Sequence, residues 1–232
     1  MAIAAIHQPQ YLPYLGFFHK LAHCDIFIAM DNVQFQRRGV QNRNKIKTKQ
    51  GEQWLTVPVC HNTRDEERIN EMQINQEQPW IQKQWGSITT NYSKAPYFAP
   101  YASELQDILS REWSHLCDLD ITLIQWVMDQ LDIKVPIVYL SKLHAEGSKS
   151  ELLINACKAV GADSYLSGAG GKQYMELEMF DAANIKIYWQ EFHSPTYEQL
   201  FPELGFIPNL SILDTLFCCG PEVTKTFLGL PS

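Results

Sequence analysis

The chain has 232 residues, of which 45% are hydrophobic, 12% aromatic and 19% charged, enough apolar material to bury a sizeable core in one large domain. Its net charge of −7 argues against a nucleic-acid binder that works by bulk electrostatics. No apolar run approaches the roughly 18 residues a membrane span needs. The opening MAIAAIHQPQ lacks a charged region and reaches His7 too early for a signal peptide, so the expected location is the cytoplasm.

In chain order, Ala2–Ile6 is a short apolar run suited to a strand buried on both faces. Pro9 and Pro13 keep the next segment out of a regular helix, and Leu15, Phe18, Leu21 and Ala22 then fall on one helical face. Asp25–Met30 reads as a second strand and Trp54–Val59 as a third extended segment beyond a basic stretch. From about Pro79 to Leu131 the pattern is helical and rich in Trp and Tyr, which predicts a helical insertion over 79–132 within a single 1–232 domain. Strands are then expected at Val135–Leu140, Ser164–Leu166 and Ile185–Trp189, helices at Ser150–Val160 and Lys172–Ala183, and a small helix at Leu210–Phe217. This alternation predicts an α/β fold, a parallel Rossmann-like sheet with helices on both faces. The cysteines at 24, 60, 117, 157, 218 and 219 form no CxxC pair and no metal-ligand spacing with histidine, which favours reduced, packed thiols.

In open α/β sheets ligands bind beyond the carboxyl ends of the strands. That rule gathers His7, Gln8 and Tyr11 after the first strand, Asp31 and Gln34 after the second, Ser148–Ser150 after the strand that follows the insertion, and Ser167, Gly168, Gly170 and Gly171 after the next. His7, directly after a buried strand and before a proline turn, is similar to the start of the HxGH arrangement of nucleotidyltransferases but lacks its second histidine; a histidine fixed in a structural turn is the competing reading. The run Gln34–Lys47, with Asn42, Arg43 and Lys45, concentrates cations suited to an anionic group, although a solvated basic loop accounts for it equally well. Ser167–Lys172 (SGAGGK) matches neither GxGxxG nor GxxxxGK[ST], so it is a backbone-donor loop or simply a tight turn. Asp214, among apolar neighbours, needs a partner, and a cation from the basic run is the expected one.

Together the block HQPQYLPYLGFFHKLAHCDIFIAMDNVQFQRRGVQNRNKIK, the segments WLTVPV, APYF and GADSYLSGAGGKQY, and the closing LSILDTLFCCGPE resemble the WbqC-like protein family over nearly the whole chain. The resemblance implies a place in bacterial O-antigen or other surface-glycan biosynthesis. It points to a small-molecule transferase that moves an acyl or aminoacyl group to an amino sugar or similar acceptor. Candidate donors are a nucleotide or an acyl or aminoacyl carrier, with or without Mg, and a carrier protein or enzyme is a candidate partner. In this reading His7 and Asp31 are catalytic, and Gln8, Tyr11, Gln34, Asn42, Arg43, Lys45, Ser167, Gly168, Gly170 and Gly171 bind an anionic small-molecule substrate. Two alternatives stay open. One is a nucleotidyltransferase-like enzyme with a divalent metal on Asp31; the other is a non-catalytic assembly protein using Trp80, Trp85, Tyr92 and Tyr97 as anchors.

Overall fold

The computed structural model describes residues 1–60 and 67–231. A five-stranded parallel sheet runs β5-β2-β1-β6-β7, built from β1 (Ile3–His7), β2 (Ile26–Ala29), β5 (Ile137–Tyr139), β6 (Ser164–Ser167) and β7 (Lys186–Trp189). The central strands β1, β2 and β6 are almost wholly buried while the edges β5 and β7 are half-exposed, the burial expected when helices cover both faces. One face carries α1 (Leu15–Ala22), α2 (Trp80–Tyr92), α3 (Phe98–Leu109), α4 (Leu116–Gln130) and α7 (Ile212–Phe227) on a core that includes Phe18, Leu21, Phe27, Leu123 and Phe217. The other carries α5 (Lys149–Ala159) and α6 (Leu177–Ala182) around Ile6, Ile154, Tyr165 and Phe180. Each such side chain contributes about 1.5–3 kcal/mol when fully buried.

The helices of 80–130 share one continuous core with α1 and α7. Trp80 and Tyr92 are buried within it and Trp85 packs against it, whereas Tyr97 remains exposed.

Several expected boundaries move. The extended segment expected at Trp54–Val59 is β4 (Gly51–Thr56), and it pairs antiparallel with β3 (Arg43–Thr48) in a hairpin outside the parallel sheet. The basic run is therefore partly a strand: Asn44, Ile46 and Thr48 turn to one buried side, a period-2 pattern hidden by its charges, and Lys47 on the other side is buried as well. The helix expected at Lys172–Ala183 is a 3-10 turn (Ala169–Gln173) followed by the shorter α6. The terminal helix continues to Phe227. Gly220 (φ 76) breaks its geometry where the Tyr97 ring occupies the space of a Cβ, and Pro221 starts the second half, as a proline can in a first helical turn. Ser148–Ser150 does not directly follow β5, because a 3-10 turn at Leu140–Lys142 intervenes; the Ser150 hydroxyl accepts from the Glu176 amide.

Candidate functional site

The sheet order changes direction between β1 and β6: the chain builds β1, β2 and β5 outward on one side, then β6 and β7 on the other. Connections leave these two neighbours for opposite faces, and in open α/β sheets the crevice that receives ligands lies at the carboxyl ends of such a pair. His7 ends β1 and Ser167 ends β6, so the crevice lies between them.

His7 Nδ1 lies 2.9 Å from the Gln8 carbonyl oxygen. A carbonyl only accepts, so Nδ1 carries the proton and Nε2 keeps its lone pair. The ring edge packs on Phe17, with centroids 5.3 Å apart. Burial, then the nearby Lys20 cation, lower the His7 pKa to about 4, which keeps the imidazole neutral with an unprotonated Nε2. This sets a pH dependence. In the unfolded chain the ring takes up a proton near its ordinary pKa of 6.5, whereas the folded ring resists until about 4. Folding stability is thus expected to fall as pH drops from 6.5 through 4. Urea unfolding across that range checks this: His7→Gln should flatten the acid limb, and an unchanged limb would assign it to other groups.

Lys20 is the residue the sequence reading missed. It sits on α1, only 6% exposed. Long side chains on a helix lean toward its N-terminus, which here points back up to the carboxyl end of the sheet. Its ammonium lies 3.3 Å from where a Cβ on Gly168 would sit. Among the described residues it makes no ion pair and no hydrogen bond; the neighbouring group that favours its charge is the Cys24 thiol, itself raised to about 12 by burial. Burial pulls Lys20 down to about 8, so at neutral pH it remains mainly a cation, buried and without a counter-ion. A lysine at one in four helical spacing with Gly16 and Cys24 looks amphipathic in sequence, and nothing local marks it as inward-facing.

The glycine turn closes the far side. A Cβ at Gly171 would collide with Ser167 Oγ and reach 2.8 Å from Met175 Sδ, so this glycine permits close packing, whereas Gly170 faces open space. The Gly171 amide is used within the turn, donating to Gly168 O at 3.0 Å. Lys172 lies over the Trp189 ring. Beyond β7, Gln190 donates to Gly16 O at 2.7 Å and ties that wall to α1. Alongside, an open cleft of 740 Å³ is lined by Gln10, Tyr14, Val40, Asn44, Phe192 and Asn209, from the segments after β1 and β7 and the β3–β4 hairpin.

The remaining predicted residues disperse. Gln8 Oε1 accepts from Gln41 Nε2 at 2.7 Å, holding the 36–41 loop against the β1 loop. The Tyr11 hydroxyl is buried and donates to Gln84 Oε1 on α2. Asp31 is 2% exposed at the end of β2, where Oδ1 accepts from the Ser141 amide at 2.9 Å and Oδ2 from the Ser141 hydroxyl and from Asn70. Both oxygens thereby lock β2 to the chain after β5. Gln34 pairs its backbone with Arg68 in a short antiparallel bridge. Asn42 donates to Val57 O at 2.9 Å. Arg43 donates to the carbonyls of Arg38 and Gly39 and stacks 4.3 Å over the Trp54 ring, and Lys45 pairs with Glu52. Among the described residues these contacts set Asp31 and Arg43 apart from His7, which lies with Lys20 and the Ser167–Gly171 turn.

Two comparisons with known proteins find relatives. Residues 8–226 match the family described as the WbqC-like protein family. An uncharacterized protein of Mycobacterium tuberculosis, Rv1507c, is 35% identical over 224 residues, covering 96% of each chain. No solved structure matches. Among the described residues no helix is long and apolar enough to cross a membrane. With the match extending from the β1 loop to the end of α7, this chain belongs to the WbqC-like protein family.

Proposed function

We propose that this chain is a small-molecule transferase whose donor docks an anionic group in the crevice between β1 and β6. The observation that carries the reading is Lys20, a buried cation with no counter-ion beside a neutral histidine. An uncompensated buried charge costs folding free energy, and an anionic ligand offsets that cost on binding. Lys20 then holds a phosphate or carboxylate of the donor. His7 Nε2 removes a proton from the acceptor's hydroxyl or amine as it attacks the donor's acyl carbon. The bond from that carbon to the donor's carrier breaks, the proton passes from His7 to the departing thiolate or phosphate oxygen, and the 740 Å³ cleft receives the acceptor. The acyl or aminoacyl transfer to an amino sugar in surface-glycan assembly that the family resemblance implies fits these roles, since it needs a base and an anion-bearing donor.

The alternatives draw less support. A divalent ion on Asp31 would compete with Ser141 and Asn70 for both carboxylate oxygens. An assembly surface built on Trp80, Trp85 and Tyr92 would use side chains that are packed in the core.

A thermal-shift screen against nucleotides, nucleotide sugars, acyl-CoAs and inorganic phosphate, with and without magnesium, tests the reading. One donor class should raise the melting temperature. His7→Ala should keep most of that shift, because binding rests on Lys20, yet lower turnover with the same donor by roughly 100-fold or more. A donor that binds equally well without Lys20, or turnover unaffected in His7→Ala, sinks the proposal.

A further inference from the structure

A second cleft, separate from the β1–β6 crevice, lies between β4 and α2. It encloses 310 Å³ and is lined by Gln53, Trp54, Thr56, Trp80, Lys83 and Gln84 among others. Trp80 and Gln84, one helical turn apart on α2, are each only 4% exposed and belong to its lining. The Trp80 indole Nε1 and the Gln84 amide Nε2 are fully buried and have no hydrogen-bond partner. Buried donors are paired in native proteins with few exceptions, and each one left unmade costs about 1–3 kcal/mol. Gln84 Oε1 accepts from the buried Tyr11 hydroxyl, which leaves the NH2 on the other branch of the amide. Gln53 spends its own amide donor on Ser87 Oγ at 2.8 Å, closing the rim. Lys83 stands at the mouth with no ion pair among the described residues, and none of the lining residues is acidic in a chain of net charge −7.

We propose that this cleft is a binding site for the carboxylate of a small polar molecule. Two N–H donors on successive turns of one helix match two oxygens, and a single lysine matches a single negative charge. A phosphate, closer to a dianion at neutral pH and with three oxygens to satisfy, matches this set less well. The exposed Trp54 indole at the rim offers a flat apolar surface to the rest of the molecule, with Arg43 stacked on it. Because Gln84 also holds Tyr11, the cleft is joined by one hydrogen bond to the loop that leaves His7.

The test is a ¹H–¹⁵N spectrum of the full chain, with the Trp80 indole resonance assigned through Trp80→Phe. At constant ionic strength the protein is titrated with sodium acetate, sodium galacturonate, galactose and inorganic phosphate. Acetate and galacturonate should move the Trp80 indole proton saturably downfield, galacturonate at the lower concentration, while galactose leaves it in place. Lys83→Met and Gln84→Glu, the second of which keeps an oxygen for Tyr11, should weaken both titrations by about tenfold or more. Lys20→Met should leave them unchanged, which separates this site from the crevice. An indole resonance unmoved by either carboxylate overturns the proposal. So does a response undiminished in Lys83→Met and Gln84→Glu, or one in which phosphate binds more tightly than acetate.

Discussion

Replacing Lys20 with methionine is expected to stabilise the free protein and, at the same time, to abolish binding of an anionic donor in the β1–β6 crevice. The two effects share one cause. Lys20 is buried, with a pKa pulled from 10.5 down to about 8, and no carboxylate among the described residues meets it. A shift of that size corresponds to about 3 kcal/mol of unfavourable charging at neutral pH, which methionine removes while keeping the length of the stem. For a chain of this size the melting temperature should rise by roughly 5–10 °C. The sign is fixed by linkage. Because the folded pKa lies below the unfolded one, the cost of the cation is full below about pH 8 and fades as pH rises towards 10.5. The advantage of Lys20→Met should therefore be largest at neutral pH and vanish in strong alkali. Removing the cation should also let the His7 pKa rise, drawing the acid limb of stability closer to 6.5. Calorimetry of both proteins between pH 4 and 10 measures all three. A destabilised Lys20→Met, with the loss independent of pH, would mean that the lysine serves packing and not ligand binding. The trade of stability for a charged site is common where function requires a strained group.

The second large effect lies away from the crevice. Asp214, fully buried near the start of α7, accepts from the Tyr92 hydroxyl at 2.7 Å and from the Tyr197 hydroxyl and Gln199 Nε2 at 2.8 Å each. Lys47 of β3, 1% exposed, contributes its charge nearby and donates to Gly205 O at 2.7 Å and to Gln199 Oε1 at 3.3 Å. The Tyr92 hydroxyl in turn accepts from the Lys47 amide at 3.0 Å. One carboxylate thus ties the hairpin, α2, α7 and the segment before it. Asp214→Ala leaves three buried donors unmade and a buried lysine without its nearest anion, and should cost about 3–5 kcal/mol. In urea the midpoint should fall with the slope unchanged. The double variant Asp214→Leu with Lys47→Met should recover part of the loss, because both charges leave together. A midpoint within error of the parent protein would show that the network does not hold α7.

The parallel sheet and its two helical layers were legible because their signals are local. Ala4–Ile6, Phe27–Ala29 and Tyr165–Leu166 are continuous apolar runs between turn residues, and burial on both faces is what such runs require. The strand ends were legible for the same reason, and His7 and Ser167 stand at two of them. Asp214 declared its need for a partner by its apolar surroundings, and a cation from the basic run, Lys47, does lie near it, with Gln199 bridging the two.

What the sequence could not settle were pairings across long stretches of chain. The hairpin of β3 and β4 hid beneath its charges, since Arg43 and Lys45 lie on the outward positions of a strand whose inward positions are also polar at Asn44 and Thr48. Asp31 carries the same type of group as a catalytic acid, and only its contacts with Ser141, 110 residues away, reveal both oxygens engaged. Lys20 is ordinary in its helix until the sheet brings Gly168 of β6's loop against it. By itself the sequence determined the layers and the strand ends, because alternation and apolar runs act over a few residues. The tertiary structure alone decided which polar side chains meet, because hydrogen bonds and burial depend on neighbours that the chain brings together only on folding.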